Sequence, residues 1–162
     1  MKRTLIIVAV LTGLILVAVG YRDDAFRTTI GTEAPAFTVT EGDSAISLAD
    51  YRGKYVLVNF WRSTDARSRR DINRYVAWKR STGNPLKILS INLDNNPVLY
   101  NEIVRNDSLM PELQHRPEGI ERKQIMDAYG LGKGSGSLLI DPNGRIVSHN
   151  PSPDVLARLK RR

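Results

Sequence analysis

The residues with the greatest capacity for chemistry lie between positions 56 and 72, where the chain reads VLVNFWRSTDARSRRDI. An apolar strand pattern is followed there by an aromatic pair, a short polar turn and a basic helix, so Asp65 and Ser68 stand where that helix begins. The helix dipole favours a carboxylate at this position, and such a cap typically stabilises a helix by about 0.5–2 kcal/mol. We therefore predict that Asp65 is a structural cap and that Ser68 is a first-turn residue.

A catalytic role for Ser68 would require a general base beside its hydroxyl. The two histidines of the chain are His115, in a predicted loop, and His149, after the last predicted strand. Neither stands at a spacing from Ser68 that indicates a triad. The chain also has no cysteine, which excludes a thiolate nucleophile, a cysteine-ligated zinc and an iron–sulfur cluster. We predict no catalytic residue.

Two other segments have some likeness to ligand sites. Asp94-Asn95-Asn96 is rich in oxygen donors, but it does not match the EF-hand spacing and is typical of a strand end followed by a helix cap. Residues 130–136 carry four glycines, but no Gly-Lys-Ser/Thr follows them and a strand, not a helix, comes next. We therefore predict no metal site and no cofactor.

The elements around the polar turn indicate an α/β domain. A parallel βαβ unit is predicted from strand 55–60 through the helix after Asp65 to strand 86–93, and Pro142-Asn143-Gly144 predicts a hairpin turn. The fold class is thus a mixed central β-sheet flanked by helices, with an N-terminal β-hairpin extension. The predicted strands cover about residues 36–40, 46–48, 55–60, 86–93, 137–141 and 145–148, and the predicted helices cover 66–80, 97–105, 121–129 and a segment after Ser152, with 106–119 as a loop.

The N-terminus has the pattern of a targeting segment. Lys2 and Arg3 precede an uncharged run of 17 residues, which predicts either a cleaved signal peptide or a short membrane anchor. The positive-inside rule keeps the two basic residues in the cytoplasm and places the rest outside. We divide the chain into a signal peptide or anchor (1–20), a polar spacer (21–29) and a globular domain (30–162), and we expect an extracytoplasmic location in the periplasm or cell envelope, membrane-anchored or secreted.

The formal net charge of +7 is concentrated in two places. Between Arg62 and Arg80 there are seven basic residues against two acidic ones, and the C-terminus adds four more basic residues. Such a segment is either a solvated helix face or a contact surface for an acidic envelope protein or anionic lipid headgroups. No nucleic-acid-binding motif is visible, so we predict no nucleic-acid partner. The candidate contact residues on the helix are Arg69, Arg70 and Arg74.

Four segments in order resemble one known family. They read IGTEAPAF at 30–37, ISLADYRGK at 46–54, VLVNFW at 56–61 and SLLIDPNGRIV at 137–147. The chain is similar in these segments to the extracytoplasmic thioredoxin-like family of TlpA/ResA type, within the redoxin/AhpC–TSA group. The resemblance covers about residues 30–158 and implies a thioredoxin fold.

The departures from the family fall on the residues of its reaction. The positions of the Cys-x-x-Cys pair hold Asp65 and Ser68, and the cis-proline position opposite them holds Ser135. The resemblance therefore implies loss of the dithiol reaction and a flexible glycine-rich replacement for the cis-proline loop. Because this loop and the aromatic before the turn flank the substrate-binding surface in the family, the further binding candidates are Trp61, Arg62, Asp65, Arg67 and Ser135, with a relic surface without any ligand as the alternative.

We accordingly expect a non-catalytic binding or scaffold module of the cell envelope. By analogy with free thioredoxin-type domains, we expect a monomer. The alternative that the resemblance implies is a thiol-disulfide oxidoreductase or redoxin. That alternative requires a thiolate, and the chain contains no residue that supplies one.

Overall fold

The computed structural model describes residues 26–132 and 134–159. The predicted signal peptide or anchor, 1–20, lies outside the described residues. Within the described ranges, no helix has both the length and the apolar character needed to cross a membrane. The elements in chain order are β1 (Thr38–Glu41), β2 (Ser44–Ser47), β3 (Val56–Trp61), α1 (Ala66–Thr82), β4 (Lys87–Asn92), α2 (Pro97–Asn106), β5 (Gln114–His115), α3 (Gly119–Tyr129), β6 (Gly136–Ile140), β7 (Ile146–His149) and α4 (Pro153–Ala157).

The central sheet has five strands in the order β5-β4-β3-β6-β7, and β1 and β2 form a separate hairpin. Strand β3 pairs in parallel with β4 and antiparallel with β6, so the sheet is mixed. The parallel pair is joined through α1, and the β6–β7 pair is closed by the predicted Pro-Asn-Gly turn. The prediction of a mixed sheet flanked by helices, with an N-terminal hairpin, is confirmed.

Strand β3 lies in the middle of the sheet because all six of its residues are apolar or can be buried with a partner. Val56, Val58 and Phe60 face a cluster that contains residues of α3 and of the β1–β2 hairpin. Leu57 and Trp61 face a second cluster, built with residues of α1, α2 and α4. Helices therefore cover both faces of the sheet. The polar turn follows the C-terminal end of β3, the central strand.

Helix α1 packs through an apolar stripe at i, i+3 and i+4, the spacing of an amphipathic helix. Ile72, Tyr75 and Val76 are buried against the sheet. The helix begins after Asp65 and ends at Gly83, whose φ of 61° is the left-handed conformation that glycine adopts without strain. Both boundaries follow from local chemistry, since a capping side chain starts the helix and a C-terminal glycine stops it.

The segment predicted as a loop, 106–119, contains a short strand that the sequence does not indicate. Gln114 and His115 form β5 and pair in parallel with Ser90 and Ile91 of β4. Both residues of β5 are buried. Two polar residues carry no alternation of apolar and polar positions, so only the pairing with β4 defines this strand.

The predicted spacer, 21–29, is partly built into the domain. Phe26 is 6% exposed and lies in the core, with its ring centroid 6.1 Å from that of Phe60. The backbone N–H of Arg27 donates to the carbonyl of Tyr129 at 3.1 Å. The packed domain therefore extends at least four residues before the predicted boundary at Ile30.

Candidate functional site

Asp65 caps α1 as predicted. Its Oδ1 accepts hydrogen bonds from the backbone N–H groups of Arg67 at 2.9 Å and Ser68 at 3.3 Å. Two of the N–H groups that an α-helix leaves without an internal partner are thereby satisfied. The turn before it is held by Ser63, whose N–H donates to Oδ2 of Asp94 at 2.7 Å.

Asp65 is hydrogen-bonded to both serines that are predicted, with it, to depart from the family pattern. Ser135 approaches from the loop before β6, and its hydroxyl donates to Oδ2 of Asp65. The hydroxyl of Ser68 donates to the backbone carbonyl of Asp65 at 3.0 Å. We call Asp65, Ser68 and Ser135 the serine–aspartate cluster. Its contacts satisfy both carboxylate oxygens and both hydroxyl protons within the protein.

The electrostatics of Asp65 follow from these contacts. Partial burial acts to raise the pKa of its carboxyl, but the hydrogen bonds from the Ser135 hydroxyl and from the N–H groups of Ser68 and Arg67 have the larger combined effect and lower it. Asp65 is therefore ionised at neutral pH. An ionised carboxylate with its oxygens engaged is poorly suited to accept a further proton as a general base.

Arg62 holds the loop before β6 rather than projecting into solvent. Its guanidinium donates to the carbonyl of Gly132 at 2.8 Å and to the carbonyl of Leu93 at 3.2 Å. The loop thus has two anchors, Arg62 at Gly132 and Asp65 at Ser135. The sequence predicts a flexible replacement for the cis-proline loop, whereas the structure shows a loop that is hydrogen-bonded to the turn on both sides.

Trp61 is not part of the exposed surface. Its side chain is fully buried in the cluster under α1, and its ring lies 5.8 Å from that of Tyr100. Its place at the end of β3, facing the helices, gives it a packing role. The sequence did not predict the burial of Trp61, because nothing in the pattern before the turn distinguishes a core ring from a surface ring.

The arginines of α1 divide into two groups. Arg69 is structural, because its Nε lies 2.9 Å from Oδ2 of Asp107 and its guanidinium donates to the carbonyl of Ser63 at 2.8 Å. Arg67, Arg70 and Arg74 are exposed, and we call them the basic face. Arg74 makes an ion pair with Asp71 at 3.1 Å, while the side chains of Arg67 and Arg70 form no ion pair with any of the described residues.

A cleft of about 600 Å³ opens between the start of α1 and the loop before β6. Asn150, after β7, closes one side, and its Oδ1 accepts from the N–H of Ser137 at 2.8 Å. The sequence did not indicate Asn150 as part of this site, since only the fold brings it to the turn. The polar lining residues are Arg62, Thr64, Asp65, Arg67, Ser68, Asp71, Ser135 and Asn150.

Neither histidine lines the cleft. Nδ1 of His115 lies 3.3 Å from the carboxylate of Glu41, and the ring of His149 packs 5.2 Å from that of Phe26. The cluster therefore has no imidazole base within it. Among residues 26–132 and 134–159, no group of three or more acidic or histidine side chains is arranged to hold a metal ion.

The model of the AhpC/TSA family matches residues 30–149, which are most of the chain. The chain belongs to this family. The thiol-disulfide oxidoreductase ResA of Bacillus thuringiensis is 29% identical over 133 residues, covering 79% of this chain and 73% of that protein. The protein of the same name from Geobacillus thermodenitrificans is 26% identical over 156 residues, covering 90% and 86%. The predicted resemblance to the TlpA/ResA type is confirmed.

Solved structures show the same fold. The thioredoxin domain of a thiol-disulfide oxidoreductase from Bacteroides vulgatus superposes with a TM-score of 0.69 at 24% identity, covering 80% of this chain and 93% of that one. A thioredoxin-like protein from Parabacteroides distasonis gives a TM-score of 0.60 at 28% identity, covering 80% and 92%. This member of the AhpC/TSA family is therefore a thioredoxin-fold protein without cysteine, and the serine–aspartate cluster lies at the start of α1.

Proposed function

We propose that the protein is a non-catalytic binding module of the cell envelope that contacts an acidic partner protein through the basic face. The observation that carries the first half of this proposal is the serine–aspartate cluster in a chain without cysteine. Thiol–disulfide exchange requires attack by a thiolate on a disulfide sulfur. The cluster offers a carboxylate and two hydroxyls instead, each engaged with another member of the cluster.

The absence of dithiol activity is tested by insulin-disulfide reduction with the full chain and dithiothreitol. We expect the rate to equal that of dithiothreitol alone, because no residue forms a mixed disulfide. A cysteine-containing thioredoxin serves as the positive control in the same assay. A rate that rises in proportion to the concentration of this protein would overturn the non-catalytic reading.

The second half of the proposal rests on the geometry of α1. Arg67, Arg70 and Arg74 follow one another at i, i+3 and i+7, so they share one face of the helix, away from the buried stripe. Arg67 also lines the cleft, which makes the basic face continuous with it. Clustered exposed guanidinium groups accelerate association with an acidic surface and pair with carboxylates in a bidentate manner.

The location in the envelope is part of the same proposal. It is supported by the basic and apolar pattern of residues 1–20 and by the relatives named ResA. Membrane fractionation tests it. Protein that stays with the membrane after a high-salt wash is anchored through its N-terminus, whereas release by salt assigns the attachment to charged contacts.

The partner is tested by affinity capture from solubilised envelopes with the full chain as bait. The variant Arg67→Glu/Arg70→Glu/Arg74→Glu is compared with Lys54→Glu/Arg105→Glu/Arg158→Glu, which makes the same change in net charge at exposed positions elsewhere. Arg69 is left intact because its contacts hold the turn.

Three results are distinguishable in this experiment. An acidic protein retained by the wild type and the control variant, but lost with the basic-face variant, supports the proposal. Loss with both variants assigns binding to net charge alone. Binding of the wild type to vesicles that contain anionic lipid, with no protein captured, replaces the protein partner by lipid headgroups.

A further inference from the structure

Four polar side chains lie in one row across four neighbouring strands. In the register of the sheet, Asn59 of β3 is opposite both Ser137 of β6 and Ser90 of β4, and Ser90 is opposite Gln114 of β5. Side chains at matching positions of adjacent strands point to the same face of a sheet. All four are buried, with exposures of 4% or less. We call these residues the polar row.

Two hydrogen bonds among the described residues involve side chains of the polar row. The hydroxyl of Ser137 donates to Oδ1 of Asn59 at 2.7 Å, and Nε2 of Gln114 donates to the carbonyl of Met110 at 3.3 Å. Nδ2 of Asn59, Oγ of Ser90 and Oε1 of Gln114 have no hydrogen-bond partner among the described residues. These three atoms lie on either side of two gaps in the row, one between Asn59 and Ser90 and the other between Ser90 and Gln114.

The donor and acceptor types of the three atoms are complementary. Nδ2 of Asn59 is a donor, Oγ of Ser90 both donates and accepts, and Oε1 of Gln114 is an acceptor. Buried polar groups in folded proteins are almost always hydrogen-bonded. Three without partners would remove a large share of the net stability of a domain of this size. A bridging group in each gap would give all three atoms a partner.

The spacing of the strands indicates the size of that group. Adjacent strands lie about 4.8 Å apart. Ser137 and Asn59 span that distance with a direct bond of 2.7 Å, whereas Asn59 Nδ2, Ser90 Oγ and Gln114 Oε1 do not come into hydrogen-bond geometry with one another. A molecule with one heavy atom that both donates and accepts spans such a gap. Water has this size and chemistry, and buried water is found where two to four polar partners converge.

We propose that the polar row is an internal hydration site, in which buried water molecules bridge Asn59 to Ser90 and Ser90 to Gln114. The bridged row forms one hydrogen-bonded chain from Ser137 to the carbonyl of Met110. It lies on the sheet face covered by α1, because Leu57 and Trp61, on the same side of β3 as Asn59, belong to the cluster under that helix. Its Ser137 end is two residues from Ser135 of the serine–aspartate cluster.

A crystal structure of the full chain at about 1.5 Å tests the proposal directly. We expect a water within hydrogen-bond distance of both Asn59 Nδ2 and Ser90 Oγ, and one within that distance of both Ser90 Oγ and Gln114 Oε1. Side chains that bond to each other directly, or gaps without solvent density, would overturn it.

A solution measurement removes any dependence on crystals. Oxygen-17 magnetic relaxation dispersion counts water molecules that stay inside the protein for longer than its rotation. We expect Ser90→Ala to lose at least one long-lived water relative to the wild type. Ser68→Ala is the matched control, because Ser68 is also buried but its hydroxyl is bonded to the carbonyl of Asp65. Equal counts in all three proteins would contradict the hydration site.

Discussion

The first turn of α1 and the outer face of the same helix are neighbours, yet their polar groups have different partners. In the first turn, both carboxylate oxygens of Asp65 and the hydroxyls of Ser68 and Ser135 bond within the protein. On the outer face, Arg67 and Arg70 are exposed and form no ion pair with a described residue. The polar groups of the turn are thus bonded within the fold, whereas the guanidinium groups without an ion pair are on the outer face, where the proposed binding surface lies.

The largest expected effect comes from putting thiols back into the turn. Asp65→Cys/Ser68→Cys places two thiols at the start of α1, where the helix dipole lowers the pKa of a thiol and favours the reactive thiolate. We expect this variant to reduce insulin in the presence of dithiothreitol at a rate clearly above background. The measurement is the turbidity of precipitating insulin B chain.

The single variant Asp65→Cys is the control for this experiment, because it lacks the second thiol that resolves a mixed disulfide. It should turn over far more slowly. The double variant could form its internal disulfide and still reduce insulin only at the background rate. In that case the residues of the turn are not what prevents catalysis, and the loop at Ser135 would be the cause.

The inner face of α1 provides the next contrast. Ile72→Ala removes a fully buried side chain, which we expect to lower the free energy of unfolding by about 2–5 kcal/mol. Arg70→Ala on the outer face should change it by less than about 0.5 kcal/mol. Urea denaturation followed by tryptophan fluorescence measures both, and similar losses for the two variants would mean that Arg70 has a structural contact.

Removing the capping carboxylate should have an intermediate effect. Asp65→Ala is expected to lower the free energy of unfolding by about 0.5–2 kcal/mol, since two N–H groups lose their acceptor. Thr64→Ala changes an exposed neighbour in the same turn and should have little effect. An equal loss for both variants would show that the turn, and not the cap, was disturbed.

The pH dependence of the cap has a definite sign. The pKa of Asp65 is lowered in the folded protein, so its stabilising effect is present above the unfolded value of about 3.9 and is lost as the pH falls through the folded value. The stability difference between wild type and Asp65→Asn should therefore be constant from neutral pH to about pH 5 and shrink below about pH 4. A difference that grows toward acidic pH would contradict the lowered pKa.

The smallest expected effect separates two adjacent arginines. Arg69→Ala breaks a partly exposed ion pair with Asp107 and a bond to the carbonyl of Ser63. It should cost up to about 1 kcal/mol, more than Arg70→Ala, because the pair is only partly screened by solvent. Thermal denaturation at low and high salt checks the comparison. A larger loss of stability for Arg70→Ala would mean that Arg70, and not Arg69, has the structural contact.

Local sequence patterns are sufficient to identify features that depend on neighbouring residues. The cap at Asp65, the stripe of Ile72, Tyr75 and Val76, and the glycine end of α1 each depend on a few neighbouring residues. The contacts that needed the structure join distant parts of the chain. Ser135 reaches Asp65 across 70 positions, and Arg62 reaches Gly132 across the same number. No spacing rule connects such residues.

Burial of individual polar and aromatic side chains was equally hard to predict. Trp61 is inside because β3 turns that face toward the helices, and His115 is inside because β5 pairs with β4. The polar row illustrates the same limit, since its members stand in four different strands. The family resemblance predicted that Asp65, Ser68 and Ser135 replace residues of the dithiol site, but only the fold shows that Asp65 is hydrogen-bonded to both serines.

The buried Phe26 limits how far the domain can stand from a membrane. If residues 1–20 remain as an anchor, only residues 21–25 separate the bilayer from a side chain fixed in the core. Even a fully extended chain of that length reaches only about 20 Å. The domain would then be held by a short tether, close to the lipid surface and restricted in orientation. Its partners would be proteins that present an acidic patch within a few nanometres of the bilayer, rather than proteins that diffuse freely through the envelope.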